Sequence, residues 1–191
     1  VFEIEARRSG SAIDPVLRIL DGSGKLLARS EDAPGAGLDA RIEFTFPNEG
    51  YYYVEVHDAR FSKQAQNYYR LKMGSYQFFD GVFPLGGRRG EVASVSFEGG
   101  NAAAAKKSSI DLRTLPEHRD LIPAVPPGGS ETPIVFAVGD EPEVIGPAAP
   151  VQAPVVINGR LDKPGQVDKF RVNVTPGDAL LIEMQARELG T

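Results

Sequence analysis

Apolar and polar side chains alternate in one short run after another along this chain, and turn residues stand between the runs. Phe2, Ile4 and Ala6 alternate with Glu3, Glu5 and Arg7; Ile42, Phe44 and Phe46 with Arg41, Glu43 and Thr45; Tyr69, Leu71 and Met73 with Tyr68, Arg70 and Lys72. Successive side chains of a strand point to opposite faces, so each run can bury one face and wet the other. Residues 15–21 and 25–29 flank Gly22-Ser23-Gly24, which predicts a tight hairpin. The turn Asn48-Glu49-Gly50 leads into residues 51–57, where Tyr52, Val54 and Val56 form one face. No stretch of the first 74 residues holds a helical period. Short strands at this spacing predict an all-β fold, an antiparallel β-sandwich or barrel.

A second unit follows. Residues 83–90 (FPLGGRRG) are loop and turn chemistry, residues 91–98 alternate through Ala93, Val95 and Phe97, and residues 132–138 form a further apolar run. Between them the alternation breaks down; residues 102–105 have room for a short helix at most. Nine of the 15 prolines fall between residues 116 and 154, and residues 140–154 read as a stiff, extended linker. Strand patterns return at residues 155–159, 169–174 and 180–186, with Gly165 and Pro176-Gly177 as punctuation. The expected division is therefore 1–75, 76–140, a proline-rich linker at 141–154, and 155–191.

Composition excludes several kinds of chemistry. Apolar residues make up 41% of the 191, enough to bury a core. The net charge of −5 argues against a nucleic-acid partner and against a polybasic membrane anchor. No apolar run approaches the roughly 18 residues of a membrane span, so no membrane insertion is expected. The chain has no Cys, which removes disulfides, thiolate catalysis and cysteine-held zinc, and its two His stand far apart at 57 and 118. It opens on Val1-Phe2-Glu3-Ile4 without Met or a visible signal peptide, and reads as a piece of something longer.

Internal recurrence is the most informative feature. Residues 2–11 (FEIEARRSGS) align with residues 182–191 (IEMQARELGT) at an offset of 180, with identities at Glu3/Glu183, Ala6/Ala186, Arg7/Arg187 and Gly10/Gly190. The hydrophobic positions match in phase. The chain then starts and stops at the same point of a repeating unit, as one period of a tandem array cut within a strand.

Residues 159–170 (GRLDKPGQVDKF) have a glycine, a short turn and an aspartate-x-phenylalanine strand, which 180–191 continue. Asp14-Pro15-Val16-Leu17, Asp21-Gly22-Ser23-Gly24-Lys25, Glu31-Asp32, residues 42–46 and the run Gly50-Tyr51-Tyr52-Tyr53-Val54-Glu55-Val56 supply the rest of the order at the other end of the chain. Together they resemble the bacterial pre-peptidase C-terminal (PPC) domain, as two incomplete copies. Residues 83–101 are similar to the first strands of small immunoglobulin-like domains. The resemblance implies a jelly-roll-like β-sandwich plus a small Ig-like β-sandwich in a secreted, periplasmic or cell-surface bacterial protein. It implies a non-catalytic role. The first copy lacks its opening strands and the second everything after the third. Open sheet edges recruit strands. The missing strands are expected from residues 155–180 of this chain or of a neighbouring copy. Residues 1–11 and 181–191 would compete for one place within a single chain, which favours a flanking repeat or a second molecule.

No enzyme is expected. His118-Arg119-Asp120-Leu121 resembles a kinase catalytic loop, but Val125 stands where its Asn is required and no glycine-rich loop accompanies it. Residues 86–90 lack the Gly-Lys-Ser/Thr of a P-loop. His57-Asp58 has no G-x-S-x-G serine to serve. Asn173-Val174-Thr175 is a formal glycosylation sequon inside a predicted strand. Two candidate sites remain. Asp14, Glu31, Asp32 and Asp39 cluster on two loops of the first copy; hard oxygen ligands suit Ca²⁺, and the plain alternative is solvated loop charge. Tyr51 and Tyr53 share a strand face with Glu55 and His57, and Tyr68 is expected to neighbour them. Such a face can stack on sugar rings or bury in a protein partner, or it can pack on an adjoining domain. Three roles follow: a structural array module that pairs with flanking repeats or copies of itself, a polysaccharide- or protein-binding accessory of a secreted hydrolase, and a secretion or pro-domain appendage of a peptidase.

Overall fold

A computed structural model describes residues 1–61, 67–128, 133–146, 150–186 and 189. It is all-β, as the alternation requires. The first unit holds β1 (Phe2–Glu5), β2 (Pro15–Leu20), β3 (Leu26–Ser30), β4 (Arg41–Ile42), β5 (Tyr53–Asp58) and β6 (Arg70–Met73), with one 3-10 turn at Arg7–Ser9. They pair antiparallel into two sheets, β4-β1-β6 and β3-β2-β5. Register follows the hydrophobic phase. Ile4 lies opposite Leu71, Leu17 opposite Val56, and Ile19 opposite Val54. Phe2, Ile4, Ala6, Leu17, Ile19 and Ile42 are buried between the sheets, with Val54, Val56 and Leu71 packed at the margin. Each fully buried Leu or Ile stabilises this core by about 1.5–3 kcal/mol. The predicted hairpin is present: the Asp21 carboxylate accepts from the Ser23 backbone at 2.9 Å, the Ser23 hydroxyl at 2.6 Å and the Lys25 backbone at 3.0 Å.

Two further sheets follow from β7 (Gly81–Phe83), β8 (Gly86–Arg88), β9 (Val92–Glu98), β10 (Lys106–Asp111), β11 (Leu121–Ala124) and β12 (Ile134–Gly139). Their orders are β10-β9-β7 and β11-β12-β8. The chain crosses from one sheet to the other between β7 and β8, and β8 runs parallel to β12. Phe79, Val95, Phe97, Leu112, Ile122, Phe136 and Val138 fill the space between. Residues 102–105 form bends instead of the short helix allowed by their alanines. β11 contains Pro123, which escaped the sequence pattern; as an edge strand it can carry a residue without an N–H.

The stretch read as a linker carries two strands, β13 (Glu143–Ile145) and β14 (Val151–Gln152). β13 pairs in parallel with β15 (Val156–Asn158), and β14 with β16 (Val172–Asn173). The strand expected at residues 169–174 is therefore only two residues long. Residues 180–186 form no strand, and Leu181, Ile182 and Met184 are 94%, 85% and 88% exposed. A strand needs a neighbour for its backbone groups, and this segment has none among the described residues. Among the described residues, neither sheet of the first unit pairs with residues 155–180. Completion of the first sandwich within this chain, one of the two routes expected, is thus not what the structure has.

The recurrence has a geometric counterpart. Ser9 N donates to Ala6 O at 3.0 Å, and Leu189 N donates to Ala186 O at 2.9 Å, a matching bond 180 residues on. Arg187, Gly190 and Thr191 of the alignment lie outside the described residues, as does Thr132 of the 132–138 run.

Candidate functional site

The densest polar chemistry lies where the first two units meet. Glu3 and Arg41 point from the outer face of β1 and β4 toward the second unit. Arg41 Nε donates to Glu3 Oε2 at 2.9 Å, and its Nη1 donates to Pro34 O at 3.1 Å and Asp80 Oδ1 at 3.2 Å. The guanidinium lies 4.2 Å from the centre of the Phe78 ring. The Arg41 side chain is only 3% exposed and that of Glu3 is fully buried. Arg8 completes the group, donating to Glu3 Oε1 at 2.6 Å and Asp39 Oδ2 at 2.9 Å. Charges this deep must be paired and hydrogen-bonded, because removing each from water costs several kcal/mol. Burial also pushes the Tyr76 hydroxyl beside them up to about 12.

Gly35 lets the backbones of the two units meet here, and Gly100 lets the second unit's chain close on itself behind Asp80. Gly35 has φ +70, and a Cβ there would lie 2.2 Å from Asp80 O; Gly100 has φ +69, and its Cβ would lie 2.2 Å from Phe78 O. Gly100 N donates to Asp80 Oδ2 at 2.6 Å. The cleft left between Ala33, Pro34, Arg41, Phe78 and Asp80 measures about 180 Å³, below the usual size of a small-molecule site. This arrangement fixes one unit against the other.

A second junction ties the C-terminal segment to the middle unit. Leu85 N donates to Asn158 Oδ1 at 2.9 Å, and Asn158 Nδ2 donates to Glu143 Oε2 at 2.6 Å. Arg160 pairs with Glu98 and lies 5.0 Å from the centre of the Phe83 ring. Burial raises the Glu143 carboxyl, more than the Asn158 amide lowers it. A carboxyl with a raised folded-state value favours the fold when protonated, and this contribution is lost as pH rises through that value. Glu143→Gln keeps an acceptor for Asn158 and removes the charge. Its melting temperature should exceed that of the wild type at neutral pH, and the difference should close below about pH 4.

The four candidate calcium ligands are not brought together. Among the described residues no group of three His, Asp or Glu side chains has metal-binding geometry. Asp39 is fully buried, and its oxygens accept from the backbone N–H of Ala6 (3.2 Å), Arg7 (2.7 Å) and Arg8 (3.3 Å) as well as from the Arg8 side chain. It caps the 3-10 turn and is not a free loop ligand. Asp14 pairs with Arg60 at 3.4 Å, Glu31 pairs with Arg29, and Asp32 is exposed.

The tyrosine face is partly assembled. Tyr51 is 92% exposed and Tyr53 59%. Tyr53, Glu55 and His57 share the outer face of β5. His57 stacks on Phe61 at 5.3 Å, its Nδ1 lies 3.4 Å from Glu55 Oε1, and Glu55 accepts from Arg18 at 2.6 Å. Tyr68 is instead tied across to the 3-10 turn, donating to Ser9 O at 3.3 Å. Arg89, in a stretch whose sequence predicts only loop and turn, is the clamp of the middle unit: it pairs with Asp120 at 3.2 Å and Asp140 at 2.8 Å and donates to Pro116 O at 2.5 Å. Asp120 of the kinase-like tetrapeptide thus serves as an ion-pair partner. Two adjacent arginines after a Gly-Gly strand were the available signal, though not where their partners lay.

Comparison with known proteins returns no matching family model, no matching curated protein and no matching solved structure.

Proposed function

We propose that this chain is a non-catalytic structural and interaction module, one period of a tandem β-sandwich array in a large secreted or cell-surface bacterial protein. The observation that carries this reading is the recurrence of residues 2–11 at 182–191, with the hydrogen bond from Ser9 N to Ala6 O matched by one from Leu189 N to Ala186 O. The buried Arg41 junction supports it, since a spacer that holds its neighbours at fixed angles needs such joints. The PPC-like and Ig-like order of motifs supports the secreted setting.

The absence of Cys makes the test clean, because one Ser94→Cys substitution per period gives a single labelling site. Residues 1–180 joined to residues 1–191 preserve the repeat register. Spin labels at the two equivalent sites should give one narrow distance distribution. A broad distribution would contradict a spacer with fixed joints. The exposure of Tyr51 and Tyr53 favours a second reading, a polysaccharide- or protein-binding accessory, in which Tyr51→Ala with Tyr53→Ala abolishes binding without lowering the melting temperature.

A further inference from the structure

The recurrence gives the unpaired C-terminal segment a destination. Residues 181–186 correspond to 1–6, so residues 155–180 correspond to whatever leads into β1. That leading stretch cannot pair with β1 itself. β4 occupies one side of β1 at Phe2 and Glu3, and β6 occupies the other from Phe2 to Glu5. The turn into residue 180 is tight: Asp178 Oδ2 accepts from Thr175 N and Oγ1, both at 2.7 Å, and Asp178 N donates to Thr175 O at 3.1 Å. A strand that ends in this turn and cannot join β1 is placed to join the facing sheet, β3-β2-β5, whose outer strands are β3 and β5.

We propose that residues 169–174 of one copy add as a strand to the open edge of β5 in a second copy. The inference rests on the array reading above and names its partner as another copy of this chain. Side-chain chemistry selects β5 over β3. Phe170, Val172 and Val174 lie on one face of the donated segment, and Lys169, Arg171 and Asn173 on the other. β5 pairs with β2 alone among the described strands and offers Val54 and Val56, both half-buried, toward the core. Its outer face carries Tyr53, Glu55 and His57, so Lys169 and Arg171 approach the Glu55 carboxylate. The groups that face Glu55 from its own sheet are Arg18 and His57. β3 would present Arg29 to the same cations. Donation exchanges the two-residue pairing of β16 with β14 for a longer ladder. It also extends the apolar margin over side chains that are now wet, since Phe170, Val172 and Val174 are all exposed.

The test is sedimentation velocity of the full chain from low micromolar to near-millimolar concentration, with three variants. Val172→Pro removes a ladder donor in a segment outside both cores. Arg171→Glu opposes Glu55, and Arg171→Glu combined with Glu55→Lys restores opposite charge. Association that grows with concentration is expected, as a closed pair if two copies exchange segments or as an open chain if donation is one-way. Val172→Pro and Arg171→Glu should each raise the midpoint concentration at least about tenfold, and the double variant should return toward the wild type. A wild type that stays monomeric throughout would overturn the inference, as would association unchanged by Val172→Pro or left weak in a well-folded double variant. The spin-label distance of the tandem chain reads the array separately, so failure here leaves that result standing on its own.

Discussion

Arg41→Ala should lower folding stability by about 3–5 kcal/mol, the loss expected when one partner of a buried ion pair is removed. The variant strips Glu3 of the 2.9 Å bond from Arg41 and leaves Arg8 as the remaining guanidinium on that carboxylate. It also removes the bridge to Pro34 O and Asp80 and the packing over Phe78, so two units lose contact through one side chain. Denaturant unfolding reads the loss. Coulomb attraction here mainly offsets desolvation, so removing both charges should cost less than removing one. Glu3→Gln with Arg41→Met is therefore expected to be more stable than Arg41→Ala alone. If Arg41→Ala instead behaved like an exposed substitution, within about 0.5 kcal/mol of the wild type, the junction would not hold the units.

Asp39→Ala should be comparably severe, at about 3–4 kcal/mol, since a buried donor left without an acceptor costs about 1–3 kcal/mol. Three backbone N–H groups, of Ala6, Arg7 and Arg8, converge on this carboxylate. The nearby carbonyls of Ala6 and Arg7 already accept from Ser9, Gly10 and Ser11 within the turn. Asp39→Asn retains one acceptor oxygen and should fall between Ala and the wild type. Thermal unfolding monitored at the first unit orders the three.

Strand positions were legible wherever one face is buried and the other is wet. Phe2/Ile4 and Val95/Phe97 took the predicted sides because period two leaves no other way to bury them together. Asp39 was legible as a carboxylate on a loop but not as a cap, because its donors lie more than thirty positions earlier in the chain. Glu3 and Arg41 read as the polar side of two strands; only the packing of the second unit on that face turns them into a buried pair. The proline count marked residues 140–154 as irregular, yet three residues between Pro142 and Pro147 suffice for β13. Residues 180–186 show the converse. Their alternation matches that of β1, but among the described residues no strand lies beside them as β4 and β6 lie beside β1, and the pattern stays unpaired.

Amide hydrogen exchange at low micromolar concentration tests the central claim most directly. Two independent sandwich cores followed by an unpaired strand-former predict slow exchange in β1, β2, β9 and β12 and near-unprotected exchange over residues 180–186. Protection of residues 180–186 equal to that of β1 in the dilute chain would contradict the account, since it would mean that this segment already has its partners.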